Sequence, residues 1–368
     1  MELYIDRTAL GRALASIQGI VERRSTTPVL SHVLLHARPD GLRMTATDTE
    51  VAFIGDLAAN VEAPGEVAVD AGNLFQVIRN LSDPTVHLKL GAGTRLEVRC
   101  GPSFYRLPGI PAEDYPPLPA FDATGSAQIK AGQLRRLVDQ TNFAVATDDA
   151  RYGLNGAHVE DLGEGRLRMV ATDGHRLSAA EAAFTGDLAM TPRMLVPRKA
   201  LGVLRKLLDG PDEDLEIAFG DGAVRLVRPG QTLWFRLLDG EFPDYKAVLP
   251  SECKHRVVVD RARMTAALKR VIILVQERTR AVKFAFADGE AVIQVQNVDR
   301  GEVTEKVPVE LEGDAISVGF NVRYLQEILG CMNTDQVRFE LSHALGPCLI
   351  QGAGDEDAFF VVMPMRLD

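Results

Sequence analysis

The sequence predicts an α+β protein of three similar consecutive domains, each with two helices and antiparallel sheets. Three observations carry this reading. The stretch Leu42-Arg43-Met44-Thr45-Ala46-Thr47-Asp48 returns 125 residues later as Leu167-Arg168-Met169-Val170-Ala171-Thr172-Asp173, identical at six of seven positions. The second-helix leucines Leu74, Leu201 and Leu325 recur at spacings of 127 and 124. Two connectors punctuate the chain, residues 108–119 with five prolines and residues 240–250. At 368 residues the chain is too long for one ordinary core, and self-similarity at a fixed period marks repeated units. The expected domains are 1–122, 127–250 and 254–368.

Each element has a local reason. Leu10, Leu14, Ile17 and Val21, spaced by three and four, predict a helix over 7–21 capped by Asp6. Residues 29–36 and 42–47 read as a hairpin around Pro39-Asp40-Gly41. Leu74, Val77, Ile78 and Leu81 predict a second helix over 73–81, ended by Asp83-Pro84, with strands at 86–90, 95–100 and 103–107. The second block repeats the order: helix 133–145, strands 154–160 and 167–172, helix 199–208, strands 215–219, 224–227 and 233–238. In the third, Asp260 caps a helix through Met264, Ala267, Leu268, Val271 and Val275, and strands fall at 282–286 and 291–296. Helix 321–332 and strands 337–341, 348–351 and 359–363 finish the chain.

A hydrophobic fraction of 46% with 25% charged residues describes a globular protein. No stretch approaches the roughly 18 apolar residues of a membrane span, and Met1 to Asp6 lack the features of a signal peptide, so the expected location is cytoplasmic. Cys100, Cys253, Cys331 and Cys348 have no CxxC spacing and read as reduced packing residues, with no metal site expected. No phosphate-binding loop is present, because Gly91-Ala92-Gly93 and Gly220-Asp221-Gly222 join strand to strand; no cofactor is expected.

Asp173, His175 and Arg176 invite a reading as acid, base and anion clamp of a hydrolase. Neither a nucleophile nor a third ligand accompanies them, and Glu50 stands at the first-repeat position of His175, so a strand end with a polar loop is favoured over catalysis. A net charge of −10 argues against a nucleic-acid partner unless the charges segregate. They do along the chain. Arg12, Arg79, Arg135, Arg136, Arg198, Lys199, Arg205, Lys206, Lys269, Arg270 and Arg323 lie in or beside the six helices, while acids gather at 212–214, 310–314 and 355–357. Recurrence in all three blocks favours one shared basic face over merely solvated helices. A three-repeat scaffold without a DNA partner is the alternative.

Several motifs are specific enough to carry a resemblance. Arg151-Tyr152 with Leu154-Asn155-Gly156, Ala171-Thr172-Asp173-Gly174-His175-Arg176-Leu177, Val196-Pro197-Arg198-Lys199, Phe242-Pro243-Asp244-Tyr245, Gly319-Phe320-Asn321-Val322 and Val361-Val362-Met363-Pro364-Met365-Arg366-Leu367 occur in order. Together they resemble the bacterial DNA polymerase III beta subunit family, the sliding clamps, over the whole chain. The resemblance implies the DNA-clamp fold and a non-enzymatic processivity factor: a head-to-tail homodimeric ring with helices lining a hole around double-stranded DNA. Twelve helices at ~9 Å spacing make a circle of ~35 Å, leaving ~25 Å for the duplex, whereas six leave almost nothing. A basic lining attracts phosphates without reading bases, which suits sliding.

By resemblance, Arg24, Arg151, Arg198 and Lys199 match positions of DNA contact, joined by Arg79, Arg135, Arg136, Arg205, Lys206 and Lys269 from the helix reading. The implied subunit interface sets Val77, Leu81 and Tyr105 against Ile273 and Leu274. The implied partner site takes a short hydrophobic peptide from the polymerase III catalytic subunit, the clamp loader, other polymerases, mismatch-repair proteins and ligase. Its expected wall is Leu154, Thr172, Gly174, His175, Arg176, Leu177, Pro243, Val248, Asn321, Tyr324, Val361, Val362, Met363, Pro364 and Met365. Gly153, Ala247 and Pro347 depart from residues seen in some family members.

Overall fold

The computed structural model describes residues 1–21, 27–148, 152–188, 194–220, 222–250, 252–276 and 280–367. Six α-helices are present among them: α1 Arg7–Ile17, α2 Ala71–Asn80, α3 Ala131–Thr141, α4 Arg198–Leu207, α5 Arg261–Val271 and α6 Val322–Cys331. Capping explains several starts. Asp6, Asp70 and Asp260 each end a strand, and each accepts the amide three residues on at 2.7 Å, so one carboxylate turns extended chain into α1, α2 or α5. Asn321 does the same for α6 through the Arg323 amide at 3.0 Å.

Every strand pairing is antiparallel, and the sheets fall into two compact units. The first unit holds Met1–Arg135 and Lys199–Leu238 with strand Thr185–Asp187. It contains a five-stranded sheet ending at strand Ser103–Leu107, and a ten-stranded sheet in which Val51–Leu57 pairs with Gln231–Arg236. Its core includes Leu10, Leu14 and Ile17 of α1 beside Leu74 and Ile78 of α2, all fully buried. The second unit holds Arg136–Ala183 and the chain from Asp239 on, with strand Leu195–Pro197. One twelve-stranded sheet runs through it, joined where Arg176–Ala183 pairs with Ala358–Val362. Phe284, Phe286, Phe320, Phe339 and Phe360 are its largest buried side chains.

The predicted helices are all present, α2 and α4 within two residues of their expected bounds, and three of them end early. α1 stops at Ile17 instead of 21, α3 at Thr141 instead of 145, and α5 at Val271 instead of 275, because the apolar periodicity continues into turns that are still buried, as at Ile20, Val145 and Val275. Several strands escape the sequence reading. Arg176–Ala183, which reads as a loop, is a central strand whose Ser-Ala-Ala-Glu-Ala-Ala lacks alternation because both faces are buried. Gly301–Glu312 escapes for the opposite reason, being charged at alternate exposed positions.

Candidate functional site

The loop after strand Arg166–Thr172 is a hydrogen-bonded turn. Gly174, at φ 87°, donates to Thr172 Oγ1 at 3.1 Å, and Asp173 Oδ1 accepts the His175 and Arg176 amides at 2.9 and 3.0 Å. Asp173 Oδ2 accepts from Arg176 Nε at 3.0 Å. Both carboxylate oxygens are therefore engaged in shaping the turn, which gives Asp173 a structural task in place of a general base. Arg176, only 9% exposed, also donates to Glu327 and to the Phe143 carbonyl, and its guanidinium lies over the Tyr324 and Phe143 rings at 4.4 and 5.1 Å.

Beside this turn opens a cavity of about 230 Å³. The sheet supplies Thr172, Leu177 and Val361, the turn Gly174 and Arg176, and the connector Pro243, Asp244, Tyr245 and Val248. Leu154 and Met363 complete it. Val248 and Met363 are 42% and 39% exposed, so the lining is apolar and displayed to solvent.

Nine of the fifteen expected wall residues line this cavity. The other six sit elsewhere. His175 is exposed and its carbonyl accepts the Met363 amide at 2.9 Å; Val362 is fully buried. Asn321 caps α6, Tyr324 stacks on Arg176, and Met365 bonds through its amide to the Gly319 carbonyl at 2.8 Å beside half-buried Pro364. Asp244 and Tyr245 line the cavity without being expected there, although they belong to the Phe242-Pro243-Asp244-Tyr245 motif, because a tyrosine in a proline-bearing connector reads as surface.

Tyr245 is instead buried, with its hydroxyl between Glu160 and Arg168. Burial, reinforced by the Glu160 hydrogen bond, pushes its phenol up to about 12. Burial works against the charge of Arg168, but bonds to Glu181 and Tyr245 outweigh it and hold the guanidinium above its ordinary range. This network anchors the connector to the strands behind the cavity. His158 stacks on Phe242 at 5.3 Å, and burial holds its imidazole below the usual value.

The basic residues divide by partner. Arg79, Arg198, Lys206 and Lys269 are exposed with no ion pair among the described residues, and Arg205 is exposed. Lys199 is paired with the buried carboxylate of Asp48. Arg135 meets Asp209 at 3.0 Å, and Arg136 meets Asp355 and Asp357 at 3.8 and 3.6 Å. Arg24 and Arg151 lie outside the described residues. Of the expected interface residues, Tyr105 and Ile273 are exposed, Val77 and Leu274 half-buried, and Leu81 buried at the end of α2. Phe104 and Ile272 are exposed beside them, outside the expected set. No helix of the described residues is long and apolar enough to cross a membrane.

Comparison with known proteins agrees along the whole chain. Family models described as the N-terminal, central and C-terminal domains of the DNA polymerase III beta subunit match residues 1–119, 128–244 and 246–366. The chain is 38% identical over 369 residues to the beta sliding clamp of Pseudomonas aeruginosa and 34% over 372 residues to that of Caulobacter vibrioides, each covering all of both proteins. The crystal structure of a sliding clamp, DNA polymerase III subunit beta, from Bartonella birtlesii superimposes with a TM-score of 0.93 at 31% identity over the whole of both chains. With six helices, antiparallel sheets and these relatives, the chain belongs to the DNA polymerase III beta subunit family, the non-catalytic sliding clamps of DNA replication.

Proposed function

We propose that two copies of this chain close head to tail into a ring that encircles double-stranded DNA, in the cytoplasm, and tethers replication and repair proteins to it. The observation that carries this reading is a matched pair of unpaired strand edges. Inside each unit, the strand after a repeat's turn pairs with the last strand of the following repeat: Val51–Leu57 with Gln231–Arg236, and Arg176–Ala183 with Ala358–Val362. Two equivalent edges have no partner among the described residues. One is Ser103–Leu107, the last strand of the first repeat; the other is the 301–307 part of Gly301–Glu312 in the third. Unpaired edges are templates for pairing with another chain, and a second copy supplies each with its complement. Exposed Phe104, Tyr105, Ile272 and Ile273 give the contact its apolar part. Val77 and Leu274 lie at its margin, and Leu81 supports it from the core.

Two copies supply twelve helices. Exposed Arg79, Arg198, Lys206 and Lys269, with Arg205, are the cations offered to phosphates; the paired Arg135, Arg136 and Lys199 reach DNA only by leaving their carboxylates. The cavity beside Gly174 takes a short hydrophobic peptide, the shared handle of the polymerase III catalytic subunit, clamp loader, other polymerases, mismatch-repair proteins and ligase. Its Met, Val and Leu lining suits several partners, because flexible thioethers repack at low cost. His175, Asn321, Tyr324, Val362, Pro364 and Met365 lie outside its lining, so the peptide contact rests on the nine expected residues that line it with Asp244 and Tyr245. Sedimentation tests the ring first: a species of twice the chain mass is expected, and a strict monomer at micromolar concentration contradicts closure.

A further inference from the structure

The two junctions inside the chain are closed by the same backbone hydrogen bond. In the first unit Phe235 pairs with Val51, and the next residue, Arg236, donates its N–H to the Glu50 carbonyl at 2.9 Å. In the second unit Val362 pairs with Arg176, and the next residue, Met363, donates to the His175 carbonyl at 2.9 Å. Glu50 and His175 are equivalent, three residues beyond Thr47 and Thr172 of the repeated strand.

The hairpin registers fix the matching donor in the first repeat. Cys100 pairs with Ser103 as Arg228 pairs with Gln231, and Leu96 pairs with Leu107 as Val224 pairs with Phe235. The residue after Leu107 thus stands where Arg236 and Met363 stand. It is Pro108, which is exposed and has no N–H. On the acceptor side, Gln296 pairs with Glu302 as Thr47 pairs with Ala52 and Thr172 with Leu177, so Arg300 is the counterpart of Glu50 and His175. The third-repeat turn, 298–300, is one residue longer than 49–50, which leaves the missing donor unchanged.

We infer that Pro108 withholds from the seam between copies the hydrogen bond that closes both internal junctions, and so sets the seam as the place where the ring parts. The inference rests on the head-to-tail reading above. A proline at a strand edge is a known way to limit pairing without altering the strand itself. Here it weakens one junction of three while leaving the registers of the other two intact.

The test is Pro108→Ala in the full chain, which restores an N–H at an exposed position. Two readouts are needed: subunit exchange between differently labelled dimers, and hydrogen exchange of the amide introduced at position 108. Exchange of subunits is expected to slow about five- to tenfold, the worth of one backbone hydrogen bond. The new amide is expected to be protected in the dimer and unprotected once dilution has separated the copies. An unprotected amide in the dimer overturns the inference whatever the exchange rate, and so does a protected amide without slower exchange. A wild-type chain that never dimerises refutes the head-to-tail reading instead, before the variant is made.

Discussion

The turns after the two copies of the repeated strand have the same skeleton and different surroundings. In the first repeat, Thr49 at φ 78° donates to Thr47 Oγ1 at 3.0 Å, and Asp48 Oδ1 accepts the Glu50 and Val51 amides at 2.9 and 2.6 Å. Gly174, Thr172 and Asp173 reproduce this pattern in the central repeat. The second carboxylate oxygen then diverges: Asp48 holds Lys199, whereas Asp173 holds Arg176. So do the facing strand residues. Ala52 faces Trp234, and that indole packs with Ala223, with Leu118 of the first connector and with Phe121 just beyond it. Leu177 faces Val361, a smaller side chain, and the cavity opens there. The backbone motif is thus shared scaffolding, and what differs is the placing of bulk across one facing pair: an indole packed against Leu118 and Phe121 at the first junction, Leu177 and Val361 lining a cavity at the second.

Exchanging those volumes is the strongest way to break this comparison. Trp234→Val should create a void at the first junction and lower unfolding free energy by about 3 kcal/mol in denaturant titration, since truncating a buried aromatic loses contacts and leaves a cavity. The reverse change, Val361→Trp, should fill the cleft and weaken binding of a short Leu- and Phe-containing peptide by about thirtyfold, roughly 2 kcal/mol, in fluorescence anisotropy. Unchanged peptide affinity would move the partner site elsewhere.

Smaller changes sharpen the shared turn. Asp173→Ala removes the acceptor of two amides and the Arg176 partner, with an expected loss of about 2 kcal/mol in stability. Asp173→Asn, which keeps an acceptor at Oδ1, should recover about half of it. Gly174→Ala should cost about 1 kcal/mol because of its left-handed φ. Thr49→Gly should change thermal stability by less than ~0.5 kcal/mol, as relief of strain offsets the freer unfolded chain.

Much of this was legible in the sequence. The offset of 125 between Thr47 and Thr172 is a true structural equivalence, down to the hydrogen bonds of both turns, and apolar periodicity with the recurrence of the repeat found all six helices. Strand-to-strand junctions were not legible, because pairing between Val51–Leu57 and Gln231–Arg236 spans some 180 residues and leaves no local signal. For the same reason Lys199 read as a free cation, its partner Asp48 being remote in sequence. In the partner site, residues next to the Gly174 turn were readable from the motif, but Tyr245 was not. Its burial depends on Glu160 and Arg168, which only the fold brings to it.

The central claim is topological retention, and its most direct measurement uses two DNAs of the same sequence. Protein loaded onto a nicked circle should remain bound through a high-salt wash, and cutting that circle once should release it from the ends. Equal retention on the circle and on the linear form, or equal loss from both, would contradict encirclement.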